Sequence, residues 1–328
     1  MNVCGRDIKI KGRIVRIGRL AHEGFELLDD PETAVAELQK SPKGIDLFTF
    51  MPKLPHTEQK YNYAFELDNV AALPVTTYDQ WWTKQIDGKT RNMVRRGEKK
   101  GVTLREVTFD DAFAKGIWEI YNETPVRQGR LFPHYGKDFE TVRKMSATFM
   151  DSSIFIGAYI GEQLIGFLKL TSDESRSQTA VMHIISMIQH RDKAPTNALI
   201  AYGVRACAGR KIPYIVYSNF AYGNKQRDSL SDFKENNGFK RIDLPRYYVP
   251  LTAKGQLAFR LGLHRSLMDR IPESVTAKLR EYRNRWYDRK FRDMTEISKS
   301  QESSPQANSQ TKAQENTDIS EKVAATTK

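Results

Sequence analysis

The densest set of side chains with catalytic chemistry lies in residues 123–138, a connection rich in glycine, proline, arginine and aromatic residues. Long connections of this kind are often functional. Glu123 and His134 are candidate acid/base groups, because a nucleophile that attacks in its neutral form must lose a proton. Arg127 and Tyr135 are candidates for binding the substrate. Docking of this connection onto a neighbouring part of the chain would explain its aromatic residues equally well.

A second polar stretch, residues 218–225, directly follows a strand predicted at 213–217. Open α/β sheets bind ligands at the carboxyl ends of their strands, so this position favours a binding site. An ordinary turn is an equally good interpretation. The candidates in this stretch are Tyr222, Asn224 and Lys225. Ser186, which belongs to another predicted strand, is a candidate for lining a cavity.

Alternating strands and helices must position these residues. The strands predicted before the connection are 13–17, 45–50, 63–67 and 102–107, and helices begin at Pro31 and Thr77. The clearest pattern spans 153–218, with a hairpin about Gly161-Glu162, a strand at 179–188, a helix at 196–207 and a further strand. This order predicts a mixed sheet with a crossover helix, which is an α/β fold. A capped helix from Ser229 and closing strands over 239–249 complete the predicted body.

The charge is concentrated rather than spread evenly. The 52 Lys and Arg exceed the 40 Asp and Glu by 12, and three blocks are strongly basic: 1–20, 84–105 and 254–292. These blocks are solvated faces, or they bind a polyanion such as tRNA or the diphosphate of CoA or of a lipid-linked sugar. The last block also suits peripheral contact with an anionic membrane. Packing of Val275, Leu279 and Trp286 onto the body is nevertheless the favoured interpretation of its helix.

Several classes of protein are excluded by composition. Two cysteines cannot form a disulfide scaffold, and no apolar run approaches the roughly 20 residues that span a bilayer. The first residues lack the apolar segment of a secretion signal, so a cytoplasmic protein is predicted. Residues 297–328 carry too little apolar surface to fold and are predicted to be a disordered tail. No metal-ligand spacing, Ser–His–Asp arrangement or phosphate-binding loop is recognisable in the sequence.

Two stretches resemble a known family. Residues 89–102 form a basic helix leading into a strand, and residues 155–170 and 230–250 include the sequence Phe-Lys-Glu-Asn-Asn-Gly-Phe at 233–239. Their order resembles the FemAB-like group of the GNAT acyltransferase superfamily, over roughly residues 10–252. The resemblance implies an α/β mixed sheet built as two tandem GNAT-like units. The implied plan is an N-terminal unit at 1–150, a C-terminal unit at 151–252, a basic amphipathic helical extension at 253–296 and the tail at 297–328.

The resemblance also implies an activity, which is transfer of an acetyl, other acyl or aminoacyl group from acyl-CoA or aminoacyl-tRNA to an amine. In such proteins a glycine-containing loop binds pyrophosphate through backbone N–H groups. The corresponding residues 189–197 contain no glycine, and Pro195 removes one donor. The candidates for binding the anionic donor are Arg191, Lys193, Thr196 and Asn197. Phe233 stands near the position of a catalytic tyrosine, whose role would pass to Tyr222 or be lost.

The sequence therefore predicts an acyltransferase in which an acceptor amine attacks an activated carbonyl directly, with acyl-CoA or aminoacyl-tRNA as co-substrate and no bound cofactor. Amino sugars or peptide amines of cell-surface polymer precursors, including those of peptidoglycan, are the implied acceptors. A binding module that retains the fold without catalysis is the alternative, favoured by the missing glycines and by Phe233. A peripheral membrane protein is a third.

Overall fold

A computed structural model describes residues 1–42, 44–127, 130–221 and 229–265, followed by residues 275, 278, 279, 281–283, 285–287 and 289. Tyr222, Asn224, Lys225 and the predicted tail lie outside the described residues. The chain divides into two units by its internal contacts. The first consists of Met1–Glu123 and Gly136–Thr276, and the second consists of Thr124–Tyr135 and Ala277–Lys328.

One large mixed sheet organises the first unit. Its strands are β1 (Asn2–Val3), β2 (Arg6–Lys11), β3 (Ile17–Leu20), β4 (Leu47–Phe50), β5 (Ala64–Pro74), β6 (Thr103–Val107), β9 (Ser153–Ile160), β10 (Gln163–Ser172), β11 (Thr179–Ser186), β12 (Tyr214–Val216) and β13 (Lys240–Pro250). Among the described residues they follow the order β1-β2-β3-β4-β13-β5-β12-β11-β10-β9-β6. In the second unit, β7 (Val126–Arg127) pairs with β8 (Arg130–Leu131).

Eight α-helices are described in the first unit. They are α1 (Pro31–Lys40), α2 (Tyr78–Gln80), α3 (Gly88–Lys99), α4 (Asp111–Asn122), α5 (Phe139–Ser146), α6 (Pro195–Gly209), α7 (Ser229–Asn236) and α8 (Ala253–Arg260). A π-helical segment, Trp81–Gln85, continues α2, and Met150–Ser152 and Ile188–Lys193 are 3₁₀ turns. Aspartate or threonine side chains accept backbone N–H groups at the starts of α1 to α5 and of α8, which explains where these helices begin. None of the described helices is long and apolar enough to cross a membrane.

Two apolar clusters hold the helices to the sheet. Helix α6 packs Leu199, Ile200 and Val204 into one cluster with Leu168 of β10, and the buried Trp81 belongs to the same cluster. The Trp81 indole donates to the Asn237 carbonyl over 3.0 Å, so its polar atom is satisfied. A second cluster joins α1 to the aromatic residues of β4 and β13. The predicted mixed α/β fold is confirmed.

Most predicted elements are confirmed, including the hairpin at Gly161-Glu162 and the helix that begins at Ser229. The strand predicted at 13–17 is wrong, because residues 12–16 form the turn between β2 and β3. Gly12 has φ +94°, and a Cβ there would lie 2.0 Å from the Val15 carbonyl oxygen. Ile14 in this turn is 82% exposed, so its β-branched side chain does not mark a buried strand here.

The packing of the C-terminal helix onto the body stays a prediction, because residues 277–296 belong to the second unit. Val275, Leu279, Tyr282 and Trp286 are exposed by 46%, 56%, 71% and 53%. The predicted boundaries at residues 150 and 252 stay a prediction. The sheet nevertheless interleaves the two halves of the sequence, because β6 lies beside β9 while β13 lies between β4 and β5.

Candidate active site

The sheet opens where two parallel strands separate. Strands β11 and β12 pair only at Thr179 with Ile215 and at Ala180 with Val216. Strand β11 then continues to Ser186, whereas the chain after β12 turns away at Ser218, which has φ 51°. The carboxyl end of β12 and the second half of β11 therefore flank a gap, and such separations in open sheets are where ligands bind.

The start of α6 lies at the end of β11, and three predicted site residues meet there. The Ser186 and Thr196 hydroxyl oxygens are 3.1 Å apart. The Asn197 amide donates to the Asn237 side-chain oxygen over 3.1 Å, and buried Asn237 in turn donates to the Phe233 carbonyl over 2.7 Å. The structure brings these three residues together, while their binding role stays a prediction.

The loop between β11 and α6 is closed by hydrogen bonds of its own. The N–H groups of Ile188 and Gln189 donate to the Glu123 carboxylate over 2.7 and 2.9 Å. The N–H groups of His190 and Ala194 donate to carbonyls inside the 3₁₀ turn, and Pro195 has no N–H. The N–H groups of Ile188, Gln189, His190 and Ala194 are therefore committed within the protein rather than arranged around an anion. Glu123 acts here as an acceptor for the backbone, and its predicted acid/base role stays a prediction.

The two cations predicted in this loop differ in their surroundings. Arg191 is exposed. The Lys193 ammonium lies 3.1 Å from His190 Nδ1 and 3.4 Å from Asp192, which also pairs with Lys100 over 2.7 Å. Burial and the charge of Lys193 lower the pKa of His190. Lys193 is therefore held inside a local charge cluster, and Arg191 is the more accessible cation.

The second unit carries three predicted site residues on its hairpin. The Arg127 guanidinium lies 4.9 Å from the centre of the Phe132 ring, and the Phe132 and His134 rings are 5.2 Å apart. Tyr135 is 37% exposed. Arg127 and His134 thus meet around Phe132, which is the kind of aromatic packing that the sequence left as an alternative to catalysis.

A cleft that the sequence did not predict occupies one face of the sheet. Its volume is about 700 Å³. Its floor consists of alternate residues from six adjacent strands, and its walls include 21–27, 51–54 and the turn that holds His264. The floor residues include Arg19, Thr49, Asp68, Met182, Val216, Arg246 and Tyr248. Successive side chains of a strand point to opposite faces of the sheet, which explains why this face is polar. Phe48, Phe50 and Tyr247 point to the other face and enter the core.

The cleft meets the strand separation described above. Ala180 is the last residue of β11 paired with β12, and it lines the cleft together with Met182, Ser218 and Asn219. From β3 to β11 the floor crosses six strands, or about 24 Å at the usual strand spacing. An elongated ligand in the cleft would therefore have one end at the gap between β11 and β12.

A buried ionic network lies in the middle of the floor. Arg246 donates to Asp68 over 2.9 Å and in a bidentate manner to Glu23 over 2.8 and 3.0 Å. Their side chains are only 12%, 22% and 14% exposed. Burial opposes the charge of Arg246, but Glu23 and Asp68 outweigh it and raise the pKa of the guanidinium. Two carboxylates face one cation, so the network has one surplus negative charge.

Tyr248 lies beside this network and stays protonated at neutral pH. Burial is the main reason that its pKa is raised to about 12; the charge of Arg246 opposes this rise, and the nearby carboxylates add to it. The hydroxyl of Tyr248 can therefore donate a hydrogen bond within the cleft.

His264 forms part of the wall and is 2% exposed. Its ring stacks against Phe259 at 4.8 Å and lies 4.7 Å from the Tyr248 ring, while Nε2 lies 3.0 Å from the Glu66 carboxylate. Burial acts to raise the pKa of Glu66, yet its hydrogen bonds with Arg265 and His264 outweigh this and lower it. The turn at 261–265 is thus fixed to the sheet by Glu66.

The far end of the cleft is positively charged. Lys9 and Arg19 are direct partners across β2 and β3, and Lys11 and Arg19 line the cleft. Among the described residues, no carboxylate pairs with these three cations. Arg19 and then burial lower the pKa of Lys11. Lys9, Lys11 and Arg19 form the cationic triad. Like charges on neighbouring strands destabilise a sheet, so an anion bound at the triad would relieve the repulsion between these three side chains.

One further lysine is buried where the chain leaves β12. Lys234 of α7 is fully buried, donates to the Asn219 carbonyl over 2.5 Å and lies 4.7 Å from the Tyr217 ring. Its burial could not be predicted from the sequence, because lysine on a short helix is usually exposed. Lys234 fixes the chain at the mouth of the gap.

The chain has a GNAT/FemAB-like fold, in which the cleft lies at the strand separation. Solved structures with the same fold include FemX, with 11% identity, a TM-score of 0.53 and coverage of 78% of this chain and 86% of that chain. The C-terminal domain of a protein assigned as a lysylphosphatidylglycerol synthetase from Agrobacterium fabrum has 11% identity and a TM-score of 0.50, covering 77% and 83%. No protein-family model matches the sequence, and no curated protein is similar to it in sequence. The predicted resemblance is confirmed at the level of the fold.

Proposed function

We propose that this protein is an acyltransferase that moves an acyl or aminoacyl group onto an amine. The observation that carries the proposal is the junction at Ala180, where a cleft of about 700 Å³ reaches the gap between β11 and β12. A donor in the gap and an acceptor in the cleft would meet at that junction. Holding both reactants in position is itself a large part of the rate enhancement for a two-substrate transfer.

The acceptor is an amine that enters from the cleft. The surplus negative charge of Glu23, Asp68 and Arg246 favours an ammonium group over an anion. A carboxylate of this network removes one proton from the ammonium group, which frees the nitrogen lone pair to attack the donor carbonyl. The new C–N bond replaces the bond from the carbonyl to the donor's sulfur or oxygen, and the leaving group takes up the second proton that the nitrogen loses. The Tyr248 hydroxyl is a candidate donor for orienting the acceptor.

The other end of the acceptor carries an anion. The cationic triad lies at the opposite end of the floor from the junction, so it suits a phosphate or carboxylate remote from the reacting amine. Amino sugars or peptide amines of cell-envelope precursors have this combination of groups. The names of the two solved structures, FemX and a lysylphosphatidylglycerol synthetase, favour a place in envelope chemistry.

The donor is an activated acyl ester or thioester. The closed loop at 188–195 lacks the N–H groups that a CoA diphosphate would need, which favours aminoacyl-tRNA over acyl-CoA. Arg191 and the exposed cations of α3 are the candidate contacts for its phosphates.

The test is turnover on a matrix of donors and acceptors. Aminoacyl-tRNA and acyl-CoA pools are each offered with amines that do or do not carry a remote phosphate, and acylated product is measured by mass spectrometry. We expect product with at least one donor, and a higher KM when Lys11 and Arg19 are replaced by alanine. Arg13→Ala, in the exposed turn of the same hairpin, is the matched control. Absence of product throughout the matrix would contradict the proposal.

A binding module without catalysis is the second candidate, and the closed loop at 188–195 favours it. It predicts that a donor or acceptor raises the unfolding temperature without any turnover. A ligand at about 100 times its Kd would stabilise the protein by roughly 2.7 kcal/mol.

A further inference from the structure

Exposed apolar side chains are concentrated near the C-terminal end of the described chain. Of the large apolar residues that are described and exposed, seven lie between 257 and 286. They are Leu257, Leu261, Leu263, Val275, Leu279, Tyr282 and Trp286. Single exposed apolar residues need no explanation, whereas several within one helix and its following turn, such as Leu257, Leu261 and Leu263, mark a surface with a partner.

Helix α8 is packed closely against the body on one face and exposes leucines on another. The helix contacts the body through Gly255 and Ala258, which are buried. A Cβ at Gly255 would lie 1.8 Å from the Asp46 carbonyl oxygen, so the contact is as close as glycine allows. Leu257 and Leu261, one turn apart, are 58% and 60% exposed, and Leu263 is 49% exposed. These three residues form the leucine patch.

Positive charge accompanies the patch. No acidic residue occurs from Leu251 to Arg265, and residues 254–292 contain eleven Lys or Arg against four Asp or Glu. Lys254, Arg265 and Arg285 are paired with Asp46, Glu66 and Glu281. Arg260, next to Leu261, is exposed and has no acidic partner among the described residues. Arg260 is therefore available to an external anion.

We propose that the leucine patch and the basic segment 254–292 bind an anionic membrane surface. Such a surface accepts apolar side chains at the level of its headgroups and attracts nearby Lys and Arg. A second copy of the chain fits less well, because two equally basic surfaces would repel one another. Four apolar residues after the leucine patch are also exposed, namely Val275, Leu279, Tyr282 and Trp286. The basic residues Lys278, Arg283, Arg285 and Arg289 lie among them in the sequence, so this segment also combines apolar and basic side chains.

The patch and the cleft share one turn. Residues 261–265 present Leu261 and Leu263 to solvent, whereas His264 from the same turn lines the cleft. A membrane bound at the patch would therefore lie beside the cleft wall, where an acceptor carried by the membrane interface could enter. This last step rests on the proposed function, but membrane binding itself does not.

The experiment is co-sedimentation of the full chain with vesicles of phosphatidylcholine, alone or with phosphatidylglycerol, and without any acyl donor or acceptor. We expect binding to the anionic vesicles only, and weaker binding at high salt. L257E/L261E should lower the partition coefficient by about tenfold or more. Arg260→Glu should lower it less. Leu67→Glu, at a leucine on β5 that is 55% exposed, is the matched control and should bind like the unsubstituted protein.

Each other outcome overturns the proposal. Equal binding to neutral vesicles, no binding at all, or equal loss in L257E/L261E and Leu67→Glu would each contradict it. Sedimentation velocity tests the alternative occupant: a dimer that L257E/L261E converts to a monomer, without vesicle binding, would assign the patch to self-association. Thermal unfolding of both variants must match that of the unsubstituted protein, and Arg260→Glu gives an independent test if the double variant does not fold. Acyl transfer without vesicle binding would leave the proposed function standing and this inference refuted.

Discussion

Replacing Arg246 by methionine tests the ionic network in the floor of the cleft. Methionine has a similar length but leaves Glu23 and Asp68 facing each other without a cation. Three charge-assisted hydrogen bonds of 2.8–3.0 Å are lost between side chains that are at most 22% exposed. Removal of one partner from a buried ion pair typically costs 3–5 kcal/mol, and partial exposure places the expected loss near the lower value, about 3 kcal/mol at pH 7.

The sign of the pH dependence distinguishes this explanation from simple loss of packing. The two unpaired carboxylates repel each other, so a proton bound to either one relieves the folded state. The unfolding free energy of R246M should therefore rise, relative to that of the unsubstituted protein, as the pH falls from 7 to 5. A cavity or a packing defect would give a difference that does not depend on pH in this range.

The assay is urea unfolding at pH 7 and at pH 5, followed by fluorescence. Arg241→Met is the matched control, because Arg241 pairs with Asp243 over 2.9 Å on the same strand but both side chains are more than 40% exposed. The control should lose no more than about 1 kcal/mol. A loss below 1 kcal/mol for R246M, or an equal loss at both pH values, would refute the reasoning.

Three other substitutions test separate parts of the structure. Burial lowers the pKa of Lys169 to about 8, so the charged form of this lysine destabilises the folded protein. The difference in unfolding free energy between the unsubstituted protein and Lys169→Met should therefore shift in favour of the unsubstituted protein by up to about 3 kcal/mol as the pH rises from 8 to 10.5. A difference that does not change with pH would argue against burial of the charge. Gly255→Ala should cost at least about 1–3 kcal/mol in thermal unfolding, because its Cβ would overlap the Asp46 carbonyl, whereas Gly209→Ala has open space and should cost nothing. Glu123→Gln should cost about 1–3 kcal/mol by weakening the acceptor of two backbone N–H groups; an unchanged stability, measured by urea unfolding, would show that the loop is held by other contacts.

The sequence predicted those elements whose signals are local. The hairpin at Gly161-Glu162, the cap at Thr77 and the helix from Ser229 each depend on residues close together in the chain. The start of α6 was predictable for the same reason, since Pro195 suits the first turn of a helix. β-Branched residues were misleading at Ile14, where a glycine turn overrides their preference for strands.

The cleft could not be predicted, because it depends on which strands become neighbours. Arg246 is separated from Asp68 by 178 residues and from Glu23 by 223 residues, and each contributes one side chain to the floor. Insertion of β13 between β4 and β5 is what brings them together. Alternation of Arg246 and Tyr248 with the apolar Tyr247 and Val249 was the one visible signal that this strand has a polar face.

The most direct test of the acyltransferase account is the rate of acyl transfer in the E23Q/D68N variant. Glutamine and asparagine keep a side-chain oxygen as acceptor for Arg246 but cannot accept the proton of the acceptor amine. With the most active donor and acceptor pair, and at a temperature at which circular dichroism shows the variant to be folded, we predict that kcat/KM falls by about 10²-fold or more. Asp243→Asn, at the exposed pair on β13, should retain full activity. An E23Q/D68N variant as active as the unsubstituted protein would contradict the assignment of the cleft as the acceptor site.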